Sequence, residues 1–217
     1  MVEELLKGNS EFQKAVRENP AVFEKLAKGQ NPVAVWIGCA DSRAQPNVVT
    51  RAGSGMVFAY ASVANAVPDD YEVVEATLEY GQLGLKNPGG KPPAVVVCGH
   101  YGCGGIRELV EKHHPEMRGL HSFLERSVGP AKKILDRALK GKGIELGQSD
   151  YLDALAEANA LLQARKVQKH WAVEKAGSAV RAWMLDLKTG AINTEMRELK
   201  KHGLFEAVRG MVGKAVE

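Results

Sequence analysis

Two short stretches of the 217-residue chain carry side chains suited to metal chemistry: Cys39-Ala40-Asp41-Ser42-Arg43 and Cys98-Gly99-His100-Tyr101-Gly102-Cys103-Gly104-Gly105. Zinc takes thiolate and imidazole in a tetrahedron with bonds of about 2.0–2.3 Å, and a catalytic site keeps three protein ligands and leaves the fourth position open. Cys39, His100 and Cys103 supply such a set. Cys98 has the same side-chain direction as His100 along an extended strand, so spacing alone does not settle the choice among cysteines; a small buried core residue is its blander role. Asp41 and Arg43 stand two residues apart and point the same way if the segment is extended, so they pair and keep the carboxylate ionised and oriented. A carboxylate held beside an open zinc position accepts a hydrogen bond from metal-bound water and favours hydroxide as nucleophile near neutral pH. Neither glycine-rich turn ends in Gly-Lys-Ser/Thr, and the glycines after His100 do not fit the dinucleotide fingerprint.

The elements that position these residues are two apolar runs. Val33 to Gly38 leads directly into Cys39, and Ala94 to Cys98, entered through Pro92 and Pro93, leads into His100. Their length and β-branched content predict buried parallel strands, with both ligand groups at strand carboxyl ends, the edge where ligands collect in open α/β sheets. A strand over 56–60 and one over 179–187 follow the same reasoning, the latter turning at Lys188-Thr189-Gly190 into Ala191 to Asn193. Helical patterns cover 3–17, 20–28, 46–51, 71–85 (capped by Asp69-Asp70), 106–114, 120–139, 151–168, 171–176 and 195–211, with a loop over 141–148. Strands alternating with helices predict an α/β fold, a single domain with a mostly parallel central sheet flanked by helices. Residues 1–29 form an amphipathic helical arm whose apolar positions, Leu5, Leu6, Phe12, Val16, Val22, Phe23 and Leu26, need a surface such as a partner subunit; residues 30–217 form the zinc-binding catalytic domain.

With 29 Lys and Arg against 26 Asp and Glu, interspersed, the net charge of +3 gives no basic face for nucleic acid. No apolar run is long enough to span a bilayer, so no membrane partner is expected. Three cysteines, an odd number, and a polar, charged first segment predict reduced thiols and a cytoplasmic location.

Cys39-Ala-Asp41-Ser-Arg43 and His100-Tyr-Gly-Cys103-Gly-Gly resemble the two zinc-binding signatures of the β-class carbonic anhydrases, in order and approximate separation. The resemblance extends from Lys28-Gly29-Gln30-Asn31-Pro32 through Glu79-Tyr80 and Glu157-Ala158-Asn159 to Asp186-Leu-Lys-Thr-Gly190, nearly the whole chain. It implies one Zn2+ per chain on Cys39, His100 and Cys103, with Asp41 and Arg43 as the catalytic dyad governing the fourth position. It also implies reversible hydration of carbon dioxide to bicarbonate. Gln30, Phe58 and Tyr80 align with residues lining the family's substrate pocket, and Gly104 follows the last ligand as a further substrate contact. In this family the pocket is completed across a subunit boundary, which implies a homo-oligomer, a dimer or a multiple of dimers. Relatives of similar fold hydrolyse carbonyl sulfide or carbon disulfide, and an inactive zinc-binding relative is a third reading. Ala61-Ser62 stands where the family usually has Arg-Asn; Trp36 matches a residue that in some members holds inhibitory bicarbonate together with that arginine.

Overall fold

The structure, a computed structural model, describes residues 2–68 and 72–213. Two helices come first, α1 (Glu3–Glu18) and α2 (Pro20–Lys28); Asn19 and Pro20 split them, with Pro20 at the first helical position, where a missing N–H costs nothing. The sheet contains β1 (Ala34–Cys39), β2 (Val57–Ser62), β3 (Ala94–His100), β4 (Val180–Leu185) and β5 (Ile192–Asn193). Its order is β2-β1-β3-β4-β5, parallel except for the β4–β5 hairpin. Around it lie α3 (Pro46–Val49), α4 (Glu72–Glu79), α5 (Gly104–Glu111), α6 (Arg118–Ser127), α7 (Gly129–Lys142), α8 (Gln148–Gln168), α9 (Trp171–Ala176), α10 (Arg197–Lys201) and α11 (Phe205–Val212).

Side-chain alternation divides the strands between two apolar layers. Val35, Ile37, Val95, Val97, Val180, Ala182 and Met184 enter the main core, where α8 packs on β3 and β4. Ala154, Leu155, Ala158, Leu161 and Ala164 bury the long helix, and the small alanines let it sit close to the sheet. On the other face Trp36, Val96, Cys98 and Leu185 form a smaller cluster, with Trp183 edge-on to Trp36 at 5.8 Å between ring centroids. Neither α1 nor α2 buries any residue, and Leu5 and Leu6 are 74% and 68% exposed. Among the described residues no helix is long and apolar enough to cross a membrane.

The chain departs from its local pattern at helix ends. The run predicted over 120–139 is two helices that break at Val128, because Pro130 in the first turn of α7 has no N–H to continue the ladder of α6. Gly141 belongs to α7 rather than to a loop, and Gly143 ends that helix in the left-handed region. The final helix predicted over 195–211 is α10 and α11, separated at Gly203 with φ +65°. Lys112, also left-handed, ends α5 short of His114. The helix predicted over 71–85 ends as α at Glu79 and continues to Gly84 as a wider turn; its expected Asp69-Asp70 cap lies outside the described residues.

Candidate metal centre

Cys39 is the last residue of β1 and His100 the last of β3, the strand paired with it, so the sheet brings two distant segments to one edge. Cys103 follows one tight turn later, at the residue before α5, and that turn requires Gly102 at φ +65°. Gly105 then permits a close approach: a Cβ there would stand 2.6 Å from Val63 Cγ1 and 3.2 Å from Ala64 Cβ. All three side chains are buried, His100 at 1% exposure.

The donor set fits a tetrahedral metal. One ligand atom from each of Cys39, His100 and Cys103 lies within 4.8 Å of the others. The two Sγ atoms are 3.9 Å apart, and two thiolates on zinc, with bonds of about 2.3 Å, would stand roughly 3.8 Å apart. His100 Nδ1 donates to the Tyr101 carbonyl at 3.1 Å, which leaves the lone pair on Nε2. That Nε2 is buried and has no hydrogen-bond partner, as a ligand atom should be. The two thiols share charge unevenly: the hydrogen bond from Cys103 holds Cys39 well below its ordinary value, while Cys103, so bonded and buried, is pushed well above its own. Burial works against a charged His100, but the negative charge on Cys39 and Asp41 outweighs it, so His100 is raised.

Asp41 stands beside this group without joining it. Its Oδ1 accepts from Arg43 N and Nε, both at 2.9 Å, and its Oδ2 accepts from Arg43 Nη2 at 2.7 Å. The Arg43 guanidinium holds the carboxyl far below the usual carboxylate range. Oδ2 is 3.7 Å from His100 Nε2, within reach of whatever sits at the metal position.

Cys98 stays apart. Although it shares strand parity with His100, it lies in the second apolar layer, where burial pushes its thiol up to about 12. His100 reaches the ligand group because the strand ends there and the chain turns. A second donor group, Asp150, Glu198 and His202, already has a cation: Lys201 Nζ is 3.4 Å from Asp150 Oδ2 and 3.1 Å from Glu198 Oε2.

Of the residues expected to line a pocket, Gly104 begins α5 next to Cys103. Phe58 and Tyr80 pair with each other, ring centroids 5.6 Å apart, away from the Cys39, His100 and Cys103 group. Phe58 registers with Val35 and Ser62 with Cys39, so Phe58 is four residues, about 13 Å, back along the strands. Gln30 likewise precedes β1 at the opposite end of the sheet. Local sequence gave no signal for Tyr101 or Asp153, which hold the ligand turn through their carbonyl and carboxylate respectively.

A parallel α/β sheet with two cysteines and a histidine at its carboxyl edge, beside an arginine-held aspartate, defines a metal-dependent enzyme of the α/β class. The family model described as carbonic anhydrase matches residues 34–192, and the chain belongs to that family, in its β class. The chain is 27% identical to the carbonic anhydrase of Emericella nidulans over 179 residues, 80% of this chain and 74% of the relative. It is 26% identical to that of Pseudomonas aeruginosa, covering 98% and 99% of the two chains. Among solved structures, one of two tetrameric β-carbonic anhydrases of Sordaria macrospora superimposes with a TM-score of 0.75 at 25% identity, over 88% and 94% of the chains. Coccomyxa β-carbonic anhydrase in complex with acetazolamide also gives 0.75, at 26% identity over 95% and 97%.

Proposed function

We propose that the chain interconverts carbon dioxide and bicarbonate with one zinc ion held by Cys39, His100 and Cys103. The observation that carries this is the preformed ligand set: sulfurs at 3.9 Å, a partnerless buried imidazole nitrogen, and an ionised carboxylate alongside. A zinc ion in such a site lowers the pKa of a water in its open position to about 7. The protein's own work is orientation. Arg43 uses three donors to keep Asp41 charged and turned, and Asp41 Oδ2, facing the metal position, accepts a proton-bearing group there and excludes other poses. The dry surroundings of His100 and Cys103 strengthen charge interactions at the metal position itself.

Gln30, Phe58 and Tyr80 are read as substrate-pocket residues contributed across a subunit boundary. Their place at the far end of the sheet from their own ligands supports this, as do the unpacked arm helices and the tetrameric state of the Sordaria relatives. The assembly is therefore read as a dimer or a multiple of dimers. All three cysteines are free, which suits a reducing cytoplasm.

Stopped-flow carbon dioxide hydration, hydrogen sulfide release from carbonyl sulfide or carbon disulfide, and metal analysis on one purified sample test the reading. Rapid hydration with one zinc per chain is expected. Sulfide release without hydration would shift the assignment to the sulfur analogues. Zinc with neither activity would make the chain an inactive relative.

A further inference from the structure

The turn that carries His100 and Cys103 is gripped from one face of α8. Gly102 N donates to Asp153 Oδ1 at 3.2 Å, and the Tyr101 hydroxyl donates to Glu157 Oε1 at 2.5 Å. Asp153 and Glu157 are four residues apart, one helical turn, so both carboxylates project toward the same turn. Glu157 is fully buried in a stretch of helix otherwise made of alanine, leucine and small polar residues. It is anchored from behind, accepting from Glu198 N at 3.0 Å and Leu199 N at 2.8 Å, while Asn193 Nδ2 donates to the Tyr101 hydroxyl at 3.1 Å. Burying a carboxylate is costly, and burial pushes both of these carboxyls above their ordinary range. An apolar residue would pack that position at less cost if packing were its whole task.

What these carboxylates hold in place is the backbone between two ligands. The carbonyl of Tyr101 fixes the His100 ring through Nδ1, so whatever fixes Tyr101 aims Nε2. We propose that Asp153 and Glu157 are positioning residues of the metal centre: through Gly102 and Tyr101 they clamp the His100–Cys103 turn so that the imidazole and thiolate meet the metal preformed. This rests on the zinc reading above. The clamp joins α8, the hairpin and α10 to the ligand turn.

The test compares Tyr101→Phe and Asp153→Ala with Tyr151→Phe as control. Tyr151 makes the same kind of bond, hydroxyl to Asp136 carboxylate at 2.7 Å, on the same helix but away from the ligands. In each zinc-loaded protein, release of zinc to a chromophoric chelator is followed, and thermal unfolding is measured with and without metal. Tyr101→Phe and Asp153→Ala, which remove the Glu157 bond and the Gly102 bond respectively, are expected to release zinc about tenfold faster than wild type or Tyr151→Phe. The added stability that zinc confers should shrink in these two variants alone. Wild-type release rates in both would overturn the clamp. So would a loss of stability equal with and without metal and matched by Tyr151→Phe, since that is what a merely structural bond gives. Failure of the wild-type protein itself to hold zinc would instead overturn the zinc reading, and the clamp with it.

Discussion

Asp41 shows how three short-range bonds decide a charge. Arg43 is 59% exposed, so the pair resembles a surface ion pair of small energetic worth, yet three donors converge on the carboxylate and fix its direction. Asp41→Asn keeps the size and loses the charge facing the metal position; hydration should fall by about 10²-fold or more with zinc content unchanged, and stopped-flow rates beside metal analysis check both. The motif made this pair legible but not its route: the segment expected to run extended turns, with Ala44 N bonded to Asp41 O at 3.0 Å and Arg43 N to Asp41 Oδ1. Cys98 was not legible in the same way, since parity placed it with His100, and only the end of β3 separates them. Cys98→Ala should therefore keep one zinc per chain, whereas Cys103→Ala should lose it; retention of zinc by the latter would refute the ligand set. At Ala61, where the family resemblance implies an arginine to balance bicarbonate beside Trp36, there is only a methyl group; Trp36 Nε1 is buried without a partner. Losing such a charge-assisted contact costs about 1.5–3 kcal/mol, so bicarbonate inhibition should be shallow and non-cooperative, and a sigmoidal inhibition curve would count against this.

Among the elements, strands were the more legible part. The apolar runs ended at Cys39 and His100 where they should, and the Lys188-Thr189-Gly190 turn closes a true hairpin, with Gly190 N bonded to Asp186 O at 2.7 Å. Helix ends were less so: a periodicity that runs on through Gly129-Pro130 or Gly203 says which face is buried but not where the backbone ladder stops. The junction of α5 with α6 carries a pH dependence of its own. Glu108, 9% exposed, accepts from His114 Nδ1 at 2.8 Å and from His121 Nε2 at 3.2 Å. The hydrogen bond to Glu108 raises His114 from its ordinary 6.5, and the bond from His114 lowers Glu108 from its ordinary 4.5. A raised imidazole stabilises the fold fully below its unfolded value and loses that effect as pH rises through the folded one. A lowered carboxyl stabilises above its unfolded value and loses that as pH falls. Both contributions are present between about 4.5 and 6.5, so His114→Ala should lower the unfolding midpoint most near pH 5.5 and progressively less as pH rises past the raised imidazole value. A pH-independent difference in differential scanning calorimetry would show that the pair does not titrate this way.

At the scale of the whole molecule, the sequence pattern shows an apolar stripe on the first 28 residues but not what the stripe meets, because a single chain's periodicity holds no information about a second copy. In the structure α1 and α2 fold onto each other, Phe12 edge-on to Phe23 at 5.4 Å between centroids, and leave most of the stripe open. Phe12 is 47% and Val22 56% exposed, with Leu5 and Leu6 more so. Leu26 ties the arm to the body, packing so close to Gly55 that a Cβ there would stand 2.6 Å from Leu26 Cδ2. Fully burying a leucine or phenylalanine is worth about 1.5–3 kcal/mol, so covering even Leu5, Leu6 and Phe12 offers several kcal/mol to any complementary surface. A second copy of this chain is the surface most consistent with Phe58 lying about 13 Å along the strands from the Cys39, His100 and Cys103 group of its own chain. Deleting residues 1–28 should therefore weaken the oligomer by at least tenfold in dissociation constant, a change of about 1.4 kcal/mol. It should also slow hydration at dilute protein concentration while each chain keeps its zinc, since the ligands lie in β1, β3 and the turn before α5. Light-scattering mass and turnover measured over the same dilution series decide it: a mass that stays at the full-length assembly's multiple would mean the arm covers nothing in the oligomer, and a loss of zinc on truncation would mean it supports the metal edge directly.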